Sequence, residues 1–211
     1  GFQPGFFRYS QVPAEKAPEV APDPGSLINM TREEIARCAY RVYYSDKQII
    51  TEAFHGATDS YGMIASLATL TAEYLHLRYG LHIPADYPVF DLKEEPKEEE
   101  VEDSYLRYAD GKSLHMPSRY AYQLPGMDPK CGPACKESFV YSVEELLSRS
   151  RQYGVSITAF LSAVMASSIM ELQHNRREKA MRPVRIMVPI DLRKMFPSKT
   201  LRNFILYALP T

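Results

Sequence analysis

A mixed α/β layer is the fold class this sequence predicts, and three observations carry that expectation. Period-two apolar segments alternate along the chain with stripes at helical spacing. No internal repeat and no Gly-rich phosphate loop interrupts the alternation. A hydrophobic fraction of 45% with 11% aromatics supplies a core for strands and helices to share. The 211 residues fit one domain or part of a larger one.

Residues 1–30 hold five prolines and read as loop, with one short extended piece around Gly5–Tyr9. Thr31 and Glu34 have capping-box spacing, yet the residues that follow lack a helical pattern. Cys38, Tyr40, Val42 and Tyr44 alternate with more polar neighbours, which predicts a strand. Ser45 to Lys47 makes a short turn, and Gln48 to Phe54 returns as a second strand, completing a hairpin. In that second strand Ile49, Thr51, Ala53 and His55 share one face, so His55 continues a partly buried row.

Tyr61 to Tyr79 predicts a helix, because Met63, Leu67, Leu70, Tyr74 and Leu77 recur at helical spacing. Asp59 or Ser60 caps its start, and Gly80 stops it with Pro84 shortly beyond. Asp91 to Asp103 carries eight carboxylates around Lys93 and Lys97 and reads as a solvated connecting loop. From Tyr105 to Lys136 prolines predominate over pattern, leaving loop with one strand at Arg119–Leu124. The tyrosines of the 105–122 region are read as packing residues, with channel lining as the alternative. Glu137 to Tyr141 reads as a strand, and Ser142 with Glu145 opens a helix that Gly154 ends. Ser156 or Thr158 starts the next helix, to about Asn175. Its small residues Ala159, Ser162, Ala163, Ala166 and Ser167 suit close approach to a sheet. Pro183–Ile190 predicts a buried strand and Arg202–Leu209 another.

Charge excludes some function classes. With 25 basic against 26 acidic residues, no global field favours nucleic acid or a membrane surface. No apolar run approaches the ~18 residues of a spanning helix. The opening Gly-Phe-Gln-Pro is not a signal peptide, and the close at Leu209-Pro210-Thr211 directly after a strand reads as the edge of a fragment. Cys38, Cys131 and Cys135 give no disulfide framework, and Cys131 with Cys135 reads as two thiols on a Pro/Gly-rich loop rather than a metal site. A reducing cytoplasm is the expected location.

The chemistry concentrates between Phe54 and Gly62, where His55 precedes Asp59 by four residues between a predicted strand and a predicted helix. A histidine fixed at a strand end by a tight loop is placed to act as a general base. This His-x-x-x-Asp loop, in its strand-loop-helix setting, resembles the signature of the CoA-dependent acyltransferase superfamily. Chloramphenicol acetyltransferase, nonribosomal peptide condensation domains and alcohol acetyltransferase-like proteins belong to it. Ser60 stands where that family has glycine, and Gly56 is the nearby residue that could supply backbone freedom. The likeness to the alcohol acetyltransferase-like branch extends to Arg149–Ser168 with its Tyr153–Thr158 entry, to Val184–Val188, to Pro189-Ile-Asp-Leu-Arg193 and to Thr200-Leu-Arg-Asn-Phe204.

The resemblance implies a chloramphenicol acetyltransferase-like two-layer sandwich of a mixed sheet and helices, one half of a two-lobed fold. Residues 1–211 would be a partial N-terminal half, with the hairpin strands in a sheet and helices 61–79 and 157–175 packed on it. The opening segment and the second half would be absent, so an apolar face would stand open and favour self-association. It further implies transfer of an acyl group, acetyl first, from a CoA thioester to a small alcohol or amine. His55 would be the general base, and Asp59 would pair with an arginine to hold the loop. Arg41 and Arg193 are the candidates, beside a partner in the absent opening segment. Acyl-CoA enters as co-substrate, with no tightly bound cofactor and no metal. Arg193 and Asn203 are expected to be architectural, and His76, His82, His115 and His174 ordinary. Two alternatives remain: condensation of carrier-bound substrates, and a noncatalytic binding member of the same fold. On either enzymatic reading the isolated half would be inactive.

Overall fold

The computed structural model describes residues 1–4, 9–14, 16–111, 120–124, 138–176 and 181–210. It is mixed α/β, with small mixed and antiparallel sheets and helices. Two compact units divide it, one of Gly1–Lys112 with Asp191–Ile205, the other of Ser113–Ile190 with Leu206–Thr211.

The first unit begins with a hairpin of β1 (Phe2–Pro4) and β2 (Tyr9–Gln11). Its principal sheet has the order β3-β4-β5, from Glu19–Pro22, Tyr40–Tyr44 and Ile49–Ala53. The predicted hairpin is present: β4 and β5 run antiparallel, with Val42 opposite Thr51. β3 was not expected in a proline-rich stretch. It pairs in parallel with β4, Val20 opposite Val42, a non-local pairing that no local pattern announces. The capping box at Thr31 also does more than expected, opening a helix α1 over Arg32–Arg37. Thr31 Oγ1 accepts from the Glu34 amide at 3.2 Å and Glu34 Oε2 from the Thr31 amide at 2.7 Å. Glu33 and Glu34 in the first turn and Arg37 in the last suit the helix dipole.

Helix α2 spans Ser60–Tyr79, capped by Asp59 and ended by Gly80, whose φ of 66° lies in the left-handed region. It packs on β5. Near its start Gly62 is required by space. A Cβ there would stand 2.2 Å from Thr58 Oγ1 and 2.3 Å from the Leu201 carbonyl oxygen. Gly to Ala within a helix ordinarily stabilises by about 0.5–1 kcal/mol, but overpacking costs about 1–3 kcal/mol. Gly62→Ala is therefore expected to lower the urea midpoint; an unchanged or higher midpoint would contradict the close approach to Leu201.

Residues 91–97 of the acidic block are exposed and irregular, as the sequence suggests, but the block's end folds into α3 (Glu98–Val101), and α4 (Ser104–Tyr108) follows it, because the 198–202 segment supplies partners. The Glu100 carbonyl accepts from the Leu201 amide at 2.8 Å, the Glu102 carbonyl from Thr200 Oγ1 at 2.7 Å, and Glu99 pairs with Lys199 at 2.8 Å. The buried apolar set is small and lies in this unit: Ala39, Val42, Ala65, Leu192 and Phe204. Arg41, Asp59, Ser104 and Thr200 are buried with it, so satisfied polar groups carry much of the packing.

The second unit holds α5 (Val143–Gln152) and α6 (Ile157–Asn175), which contact one another, and the paired strands β6 (Val188–Asp191) and β7 (Ile205–Ala208). Both helix starts follow the sequence: Ser142 Oγ accepts from the Glu145 amide at 3.3 Å and Ser156 Oγ from the Ala159 amide at 3.2 Å. Six expectations need correction. Residues 120–124 and 138–141 form no strand, and Val140 is 97% exposed. The strand predicted at Pro183–Ile190 is reduced to β6 and is not buried. The strand over Arg202–Leu209 is reduced to β7. Ala159, Ala163 and Ser167 of α6 face solvent, and the strands fall into three small sheets rather than one. Gln173, fully buried, clamps the chain after the helix, its amide exchanging bonds of 3.1 and 2.9 Å with the Arg182 backbone. Among the described residues no single helix is long and apolar enough to cross a membrane; α5 and α6 meet that length and composition only together, across an 80° bend. The expected extended piece at Gly5–Tyr9 falls largely outside the described residues, as do Cys131, Cys135, His115, Arg119, Glu137 and most of the 105–136 loop.

Candidate active site

The site is assembled in the first unit from the turn after β5, the start of α2 and the segment 191–204. β5 ends at Ala53, and the Phe54 amide gives a last bond to the Ala39 carbonyl at 3.0 Å. The chain then reverses, with the Ala57 amide on the Phe54 carbonyl at 2.8 Å. His55 therefore leaves the period-two row and stands exposed on a turn, a correction to its expected part-burial. Its backbone carbonyl accepts from Asn203 Nδ2 at 2.9 Å. Its imidazole has no hydrogen-bond partner among the described residues.

Asp59 is the centre of the arrangement. Oδ1 accepts from the Tyr61 amide at 3.0 Å, as a helix cap does. Oδ2 accepts from Arg193 Nη1 and from the Phe204 amide, both at 2.8 Å. The carboxylate side chain is 0% exposed and that of Arg193 6%. Cap and ion pair coexist, and of the two arginine candidates Arg193 is the partner. Arg41 is committed elsewhere, to Glu34 at 2.9 Å, Glu52 at 3.5 Å and the Ile28 carbonyl at 3.1 Å.

Arg193 lies in a short 3-10 turn, Leu192–Lys194, directly after β6. Every guanidinium N–H has an acceptor. Nη1 also reaches Asp191 Oδ1 at 3.1 Å, Nε donates to the Thr200 carbonyl at 3.0 Å, and Nη2 donates to the Thr200 and Arg202 carbonyls at 2.8 and 2.7 Å. The Tyr61 ring lies 4.5 Å from the guanidinium carbon and the Phe204 ring 5.9 Å. Such stacking adds about 0.5–2 kcal/mol to a cation withdrawn from water. Tyr87 stacks on Tyr61 in turn, centroids 4.7 Å apart, and burial raises its hydroxyl pKa, with Tyr61 adding to the rise. Tyr105 packs edge-on against Phe204, its hydroxyl accepting from the Ile205 amide at 2.9 Å and donating to the Ile205 carbonyl; burial raises its pKa as well.

The segment 200–204 is thus a splint across the loop. Leu201 accepts from Thr58 Oγ1 at 2.6 Å, Phe204 donates to Asp59, and Asn203 holds the His55 carbonyl. Sequence reasoning had marked Arg193 and Asn203 as architectural. It missed the roles of Tyr61, Phe204 and Thr200, for which only the run Thr200–Phe204 gave a signal. Ser60 is the first residue of α2, where helical backbone needs no positive φ, so serine fits without strain. Gly56 likewise is not left-handed; a Cβ there would meet the Phe54 ring at 2.5 Å. Among the described residues no group of three His, Cys, Asp or Glu side chains is placed to hold a metal ion. Comparisons with protein-family models, with curated proteins and with solved structures gave no match.

Proposed function

We propose that the intact protein is an acyltransferase moving an acyl group, acetyl first, from a CoA thioester to a small alcohol or amine. The fold proposed with it is one half of a chloramphenicol acetyltransferase-like sandwich, acyl-CoA acting as co-substrate. The observation that carries the reading is the buried Asp59–Arg193 pair, which joins the start of α2 to a turn 134 residues later and holds the His55 loop between them. His55 takes the proton from the acceptor O–H or N–H as that atom attacks the thioester carbonyl. The C–S bond then breaks, and the CoA thiolate leaves with the proton the imidazole returns. Asp59 does not touch substrate; it keeps the loop's shape.

A noncatalytic binding role is the second reading. It is favoured by one observation: the His55 imidazole is exposed and nothing among the described residues orients it, whereas a catalytic base is usually held by a further group. The test is thiol release from acetyl-CoA across a panel of alcohols and amines, beside the same acyl group loaded on a carrier protein. Acceptor-dependent release from acetyl-CoA is expected. Release only from the carrier would favour a condensation-type enzyme, and no release from either donor would favour the binding role.

A further inference from the structure

The first unit holds a cavity of about 1190 Å³ that neither His55 nor Asp59 lines. One wall is a face of α2, where Gly62, Ala65, Ser66, Thr69, Leu70 and Glu73 follow at helical spacing. Small side chains give this face its depth, and the twelve residues from Gly62 to Glu73 span about 16 Å of groove. Val20 and Val42 of the sheet face it, with Tyr40 beside them, its hydroxyl oxygen accepting from Ser66 Oγ at 2.6 Å. The opposite wall is the 85–97 segment, tied to the helix by the Phe90 amide on Thr69 Oγ1 at 3.0 Å.

The mouth has a definite sign. Six carboxylates line the cavity against Lys93 and Lys97, in a chain whose charges otherwise nearly cancel. Lys97 is already paired with Glu94 at 3.4 Å. Glu73, Asp86 and Glu95 have no ion-pair partner among the described residues. Glu73 is the telling one, a half-buried carboxylate at the end of an apolar helix face. A carboxylate so placed favours a cation that can share its partial desolvation.

We infer that this groove binds a molecule with an apolar body and a cationic head, an alkylamine in its simplest form, the ammonium resting on Glu73 and the chain lying along the Gly62–Leu70 face. The groove borders the proposed acyl-transfer centre through Gly62, Tyr87 and Leu201, but the inference does not rest on that reading. The apolar walls supply affinity and the acidic mouth the choice of charge, so binding weakens with added salt.

The test is titration of the full chain with octylamine, octanol and octanoate, followed by calorimetry. Octylamine is expected to bind at least tenfold more tightly than either analogue, and Glu73→Gln is expected to remove about that factor. Val20→Trp, placed on a strand residue that is 62% exposed, fills the groove from outside the core and is expected to abolish binding while circular dichroism stays unchanged. No binding of octylamine, equal binding of octanol or octanoate, or octylamine affinity unaltered in Glu73→Gln or Val20→Trp would each overturn the inference.

Discussion

Arg193→Ala is expected to destabilise the first unit by about 3–5 kcal/mol, the cost of leaving one member of a buried ion pair without its partner. Against a total of about 5–15 kcal/mol for a domain, that is a large share of the stability. The loss has several sources that act together. The Asp59 carboxylate, with no exposed side-chain surface, would keep its bonds from the Tyr61 and Phe204 amides but lose its counter-charge. The Thr200 and Arg202 carbonyls would lose their donors, and the Tyr61 ring its cation. Urea unfolding followed by circular dichroism measures the effect. Removing both charges, in Asp59→Ala with Arg193→Ala, is expected to cost less than the two single changes added together, since neither charge is then stranded. Strict additivity would contradict the pairing.

His55→Ala is expected to do the opposite, leaving stability within about 0.5 kcal/mol of wild type because the side chain is exposed and touches no polar partner among the described residues. The contact that holds the loop uses the backbone carbonyl of residue 55, which alanine retains. In the intact protein, however, thiol release is expected to fall about 10²–10⁴-fold, the usual worth of a positioned general base. The acceptor's proton would then have to go to water during attack. A rate loss accompanied by a lower urea midpoint would point instead to a structural histidine.

Much of this was legible in local pattern, and what was not has physical reasons. The hairpin of β4 and β5, both ends of α2 and the starts of α5 and α6 were readable because caps and period-two alternation are encoded within a few residues. Asp59 was readable from local pattern only as a helix cap; its role as a loop keeper paired with an arginine came from the family resemblance. Choosing Arg193 over Arg41 was not, since the deciding facts are distant: Arg41 is taken by Glu34, and Arg193 comes from 134 residues down the chain. β3 escaped for the same reason, because its parallel partner is another segment. Within the acidic block 91–97 is the expected solvated loop, but α3 and the α4 that follows it were not readable because they depend on hydrogen bonds to residues 198–202. His55 looked half-buried because the period was carried past Ala53, where the turn to Ala57 breaks it. The groove along α2 had no sequence signal beyond its small residues, which the helical stripe counted at other positions had obscured.

The most direct measurement is acetyl-CoA thiol release by the intact protein, with wild type, His55→Ala and Asp59→Asn assayed side by side and each paired with its urea midpoint. The expected result is three distinct outcomes: release by wild type, near silence at an unchanged midpoint in His55→Ala, and both rate and midpoint reduced in Asp59→Asn. Equal release by wild type and His55→Ala across the acceptor panel would contradict the account.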